Sequence, residues 1–159
     1  MLQLDTATLS ETLSGVLEAM TFVSPFQMSA AEALDQPPAD PVFASIQFSG
    51  VVNGRLELVA SESLGRLLAA NLLGAEPTDE EAGANAEDVL KELMNVTCGS
   101  LIRRCRPDEA EQPQLGLPCL RKMPSDPGSW QVFLNQPGTV VMDADGHVVA
   151  ARFTEADAA

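Results

Sequence analysis

Four residues carry the most chemically suggestive spacing in the chain: Asp88, Glu92, Asn95 and Gly99. On a helix they fall within about 40° of one another, because steps of three and four residues return to the same face. The surrounding circle is apolar, with Val89, Leu90, Leu93, Met94, Val96, Leu101, Ile102 and Cys105. A carboxylate and a carboxamide one turn apart can fix a water molecule: the amide both donates and accepts, and the carboxylate holds a cation or an ammonium group. The same stripe has a plainer reading, in which Asp88 and Glu92 are favourable charges in the first helical turn, Asn95 is solvated and Gly99 packs on a neighbour. Glycine inside a helix costs about 1 kcal/mol against alanine, which points to close approach of another backbone at Gly99.

The elements that must hold this stripe follow from patterning. Leu9, Leu13, Val16, Leu17 and Met20 recur at helical spacing, which predicts an amphipathic helix over 9–22 opened by Ser10 or Thr8. Residues 35–41, DQPPADP, read as a Pro-rich connection. Residues 42–60 alternate around Val51-Val52-Asn53-Gly54, which predicts two antiparallel strands with an Asn-Gly turn. Ser61 opens a short helix that stops at Gly74, and a second, long helix runs from about residue 86 to Arg104, before Pro107. Trp130–Leu134, Thr139–Met142 and His147–Phe153 read as strands, the last two joined through Asp145-Gly146. The expected fold is α+β: an antiparallel β-sheet packed against two long helices plus a short helix.

The chain has 159 residues, 23 acidic and 9 basic, for a formal charge of −14, and its length predicts a single domain over 1–159 with a helical part at 1–34. So acidic a chain, with no basic run beyond Arg103-Arg104, lacks the footprint that nucleic acid or an anionic membrane surface requires. No basic leader and no apolar run of about 18 residues is present, so a soluble, cytoplasmic protein is expected. Cys98, Cys105 and Cys119 lack C-x-x-C spacing and His147 is the single histidine, which excludes a zinc ribbon or a His-dependent triad built by this chain alone. The acidic residues form no clustered ligand set, so no metal of its own is expected. The segment 91–122 carries +2 against −16 for the remainder, which would ease approach to an acidic partner, although Arg103 and Arg104 also suit a helix C-terminus.

Asp88-x3-Glu92-x2-Asn95, followed after 22 residues by Pro118, resembles the D/S-x3-E-x2-N-x22-P signature of the CheC, CheX and FliY chemotaxis phosphatases. Phe48-Ser49-Gly50, Gly54–Leu58, Leu64–Gly74 and Glu18–Phe22 also resemble CheX-like domains, so the likeness covers most of the chain. Setting the first helix on the same pattern through Ser10 puts Ser14 and Leu17 where Glu and Asn would stand, so one site per chain is expected, as in CheX. The resemblance implies hydrolysis of the aspartyl phosphate on a CheY-like receiver domain, with Glu92 and Asn95 as catalytic residues and Asp88, Gly99 and Pro118 in support. Asn95 would orient the attacking water and Glu92 would engage the receiver's lysine, while the receiver supplies Mg²⁺. It also implies a homodimer. The alternative is a non-catalytic CheX-like module that binds a receiver or another signalling partner.

Overall fold

A computed structural model describes residues 4–50, 52–105, 111 and 113–156. The elements in chain order are α1 (Thr6–Thr21), β1 (Phe26–Met28), α2 (Ala30–Leu34), β2 (Pro41–Ser49), β3 (Asn53–Ser61), α3 (Glu62–Leu73) and α4 (Glu80–Cys105). These are followed by β4 (Gln114–Leu115), β5 (Cys119–Lys122), α5 (Pro127–Leu134), β6 (Val140–Ala144) and β7 (His147–Ala156). The strands form one antiparallel sheet in the order β1-β6-β7-β3-β2-β4, with β5 also paired to β2. The α+β expectation holds.

Alternation along the strands divides the sheet into two apolar faces. Ala44, Ile46, Leu56, Leu58, Met142 and Val149 point toward α1, α3 and α4, where Leu13, Leu17, Leu64, Leu68, Leu93 and Leu101 complete the main core. Val59, Val141, Val148 and Ala150 point the other way and are covered by Trp130, Phe133 and Leu134 of α5 with Ala33 of α2. The part of this second face that α5 leaves uncovered is polar, and there Glu57 lies between Arg55 at 2.9 Å and Arg152 at 3.4 Å.

Several boundaries differ from the sequence expectation for local reasons. The cap of α1 is Asp5, whose carboxylate accepts from Thr8 N–H at 2.7 Å and is held below the usual carboxylate range by the Thr8 side chain and then by that N–H. Ser10, expected as a cap, is buried and accepts from the Gln27 amide at 2.9 Å, which ties in the unforeseen strand β1. The β2–β3 turn falls earlier than Asn53-Gly54. Asn53 instead accepts from Gly50 N–H at 3.1 Å, and Gly50 takes the positive φ of 139°; Val51 lies outside the described residues. Gly54 is already in β3 opposite Phe48, whose ring stacks on Phe153 at 5.2 Å. A Cβ on Gly54 would run into the Phe48 ring and the Thr154 carbonyl, so glycine is needed there for close approach.

The largest difference is at Trp130–Leu134, expected as a strand and found in α5. Asp126 caps that helix by accepting from Ser129 N–H at 2.9 Å, and Pro127 occupies its first turn, where its fixed φ and missing N–H suit a helix start. Trp130 is nonetheless core, donating to Ala33 O at 2.8 Å. The Asp145-Gly146 turn is as expected, with φ of 54° and 86°. α3 is likewise as expected, capped by Ser61 and ended by Gly74 at φ 67°. Strands β4 and β5 had no clear signal, because each gains its place only by pairing with β2.

One core group lacks a partner. The Thr97 hydroxyl, on a residue 1% exposed in α4, makes no hydrogen bond among the described residues. Replacing it by valine keeps the shape and removes a buried unpaired oxygen, so Thr97→Val is expected to be neutral or to raise stability by about 1 kcal/mol in urea denaturation.

Candidate functional site

Helix α4 carries the stripe, and its start at Glu80 changes the reading of one member. Glu80 and Glu81 fill the first turn, so Asp88 stands two turns inside and is neither a cap nor a charge on the helix N-terminus. The helix begins earlier than expected because Asp79 O accepts from Gly83 N–H at 3.2 Å, and the space above Gly83 is taken by the Arg66 guanidinium of α3.

Asp88 and Glu92 are exposed, and Asn95 and Gly99 are half-buried along the same face. Behind them Leu93, Met94, Cys98 and Leu101 are fully buried and hold the helix to the sheet, which fixes the stripe outward. Burial pushes the Cys98 thiol up to about 12, so it stays protonated at neutral pH and packs as a small apolar group, as expected. Cys105 is also raised, mainly by burial and further by Asp5 and Glu155.

Among the described residues, neither Glu92 nor Asn95 makes a side-chain hydrogen bond or ion pair. Other amides and carboxylates of α3 and α4 do: Asn85 donates to Glu81 O at 2.9 Å, Asn71 to Thr21 O at 2.9 Å, and Glu87 holds Lys91 at 3.4 Å. A free carboxylate and a free carboxamide at a spacing of three residues, with Cβ atoms about 5–6 Å apart, can bind one cationic group and one water side by side.

The stripe runs between two walls. On one side a groove of about 550 Å³ separates α4 from α1, lined by Glu92, Val96 and Ser100 against Thr12, Gly15 and Val16, with the Arg104–Glu11 pair at 3.7 Å across it. On the other side is the β4–β5 segment, and Pro118 lies there half-buried just before β5. In α1, Leu17 is in the core and Ser10 holds Gln27, so that helix presents no matching carboxylate and amide.

Among the described residues no backbone of another element approaches Gly99. A Cβ there would meet only Leu115 Cδ1 at 3.8 Å and Arg103 Nη1 at 3.9 Å, both ordinary contacts, so the expected close approach is absent. Gly99→Ala is therefore expected to fold normally and to gain up to about 1 kcal/mol from helix propensity, read by thermal unfolding. The basic residues of segment 91–122 are also dispersed. Lys91 pairs with Glu87, Arg104 with Glu11, Arg121 lies over the Phe43 ring at 4.6 Å, Lys122 stands at the end of β5, and Arg103 lies beside Gly99 of the stripe; Arg106 lies outside the described residues. Among the described residues no group of three or more His, Cys, Asp or Glu side chains could hold a metal, and no helix is long and apolar enough to cross a membrane.

Solved structures share this arrangement of sheet and helices. A putative chemotaxis protein from Desulfovibrio vulgaris Hildenborough superposes with a TM-score of 0.65 at 14% identity, over 98% of this chain and 99% of that one. CheX from Vibrio vulnificus gives 0.64 at 16% identity over 93% of each chain. A structure of the CheX–CheY–BeF3–Mg²⁺ complex from Borrelia burgdorferi gives 0.61 at 15% identity over 94% and 96%. The architecture is thus that of the CheX and CheC proteins. The family profile described as Chemotaxis phosphatase CheX matches residues 42–123, and the chain belongs to that family. No curated protein sequence matches it.

Proposed function

We propose that the chain hydrolyses the aspartyl phosphate of a phosphorylated CheY-like receiver domain, with Asn95 orienting the attacking water and Glu92 engaging the receiver's lysine. The observation that carries this is the pair itself: an exposed carboxylate and a half-buried carboxamide on one helical face, one turn apart, with no side-chain partner among the described residues. Membership of the CheX family supports the activity in general, and the CheX–CheY complex supports a receiver as the partner.

In this reading the water oxygen attacks phosphorus, the bond from phosphorus to the aspartyl carboxylate oxygen breaks, and the carboxylate leaves with the bonding pair. Asn95 accepts a hydrogen bond from the water and aims its lone pair in line, which is positioning work and needs no charge on the amide. Glu92 is long enough to meet an ammonium group of the partner and so fixes the two active-site halves. The metal ion belongs to the receiver, and the chain works where receivers are found, in the cytoplasm. Asp88, Gly99 and Pro118 support the face without touching the reacting atoms.

The test is release of phosphate from receiver domains labelled by acetyl phosphate, with and without this protein. Accelerated loss from at least one receiver supports the reading. Tight binding to a beryllofluoride-activated receiver without any acceleration would replace it with a binding module.

A further inference from the structure

We propose that the β4–β5 connection, and Leu117 above all, is the apolar anchor that holds a receiver domain against the α4 stripe; this rests on the receiver reading above. The position follows from contacts at both ends of the segment. Leu115 Cδ1 lies 3.8 Å from the β-position of Gly99, whereas Leu120 and Lys122 share a cavity with Ala86 and Leu90, about two and a half to three and a half turns earlier on α4. The chain between them therefore runs beside α4 and brings Leu117 and Pro118 level with the Asn95 turn.

Leu117 is 87% exposed and Leu115 39%. This exposure does not arise from a loose segment. Gly116 N–H donates to Gln47 O at 2.7 Å, a Cβ on Gly116 would come within 3.2 Å of that oxygen, and the Cys119 thiol donates to Leu117 O at 3.8 Å. A large aliphatic side chain held out into water on a pinned backbone has forgone burial in its own fold. The stripe beside it offers two free polar groups and a glycine, which give orientation and little contact area. Affinity at such an interface comes from an apolar anchor that excludes water around the polar pair.

Charge identifies the occupant. Beside the stripe stands Arg103, which donates to the Ser100 hydroxyl at 3.5 Å and lies 3.9 Å from the β-position of Gly99. An apolar ridge, the carboxylate of Glu92, the amide of Asn95 and this arginine on one face fit a partner that presents an anionic group and an ammonium group next to an apolar rim. The acyl phosphate and lysine of a receiver domain have that chemistry, whereas two copies of a chain of net charge −14 repel each other.

The experiment uses the whole chain with Leu117→Ser and Leu117→Met. Both are expected to unfold as the parent does, since the side chain is in water. Dephosphorylation kinetics are measured on the receiver found active in the phosphate-release screen, and affinity on the same receiver carrying beryllofluoride and Mg²⁺. Leu117→Ser is expected to raise KM and Kd about tenfold or more while kcat stays within about twofold, and Leu117→Met to restore both. Unchanged KM and Kd in Leu117→Ser, with the parent active, would overturn the anchor and leave the receiver reading intact. Loss of a dimer in Leu117→Ser with KM unchanged would assign the ridge to a second copy and also overturn it. If the parent neither binds nor dephosphorylates any receiver of the source genome, the receiver reading fails and the anchor falls with it.

Discussion

Asn95→Ala is expected to lower phosphate release from a phosphorylated receiver by about 10²–10³ at saturating receiver, because one positioned hydrogen-bonding group in such a step is worth roughly 3–4 kcal/mol. Folding should be almost untouched. Asn95 makes no side-chain hydrogen bond in the described residues, so its removal breaks nothing, and alanine is the better helix former. The change in unfolding free energy should stay under about 1 kcal/mol. Affinity for a beryllofluoride-activated receiver should also hold, since the amide acts on the water. Glu92→Ala should behave differently, weakening affinity together with rate, because it removes the charge that meets the receiver's lysine. Stopped-flow dephosphorylation and binding titration separate the two. Near-normal turnover by Asn95→Ala from an active parent would remove the mechanism while leaving the family and fold in place.

Leu93→Ala should show the opposite pattern. Leu93 sits in the chain between the two proposed catalytic residues, yet it is 0% exposed and points into the core shared by α1, α3 and the sheet. Truncation removes buried methyl groups and leaves a cavity, for which a loss of about 2–5 kcal/mol is expected. For a chain of this length each kcal/mol lowers Tm by about 2–4 °C. Urea denaturation followed by circular dichroism gives the free energy directly. At low temperature, where the variant is still mostly folded, its turnover per folded molecule should stay close to that of the parent. Adjacent positions on one helix would thus separate chemistry from stability, which is the expectation for a helix with one face in the core and one in water.

The sequence revealed those parts of the fold whose signals are local. The α3 helix carries its own start at Ser61 and its own stop at Gly74, and the β6–β7 turn is written in Asp145-Gly146, so all three stood in the expected places. The stripe on α4 was legible because periodicity of three and four survives whatever the helix packs against. What the sequence concealed depends on distant partners. Trp130–Leu134 has the apolar, β-favouring composition of a strand, and only the Asp126-Pro127 start marks it as a helix; the sheet face it covers is built from residues over 80 positions away in part. β5 is held by pairing with β2, some 77 residues earlier, and nothing within Cys119–Lys122 announces this. The wall that β4 and β5 raise beside the stripe was illegible for the same reason, and nothing in the residues around Leu117 marks that leucine as exposed. Exposure of a leucine is a property of the folded surface, and one sequence does not contain it.

Asn95 lines neither the α1–α4 groove nor the cavity between α3, α4 and β5, and Glu92 lines only the open α1–α4 groove. In the proposed reaction the phosphate would therefore be enclosed only while the two proteins are together. Once they part, neither of those cavities would hold the ion against Asn95. Product inhibition by inorganic phosphate should consequently be weak, and the residence time of the receiver on α4, rather than escape of the ion from a cleft, would govern how fast one molecule can serve the next.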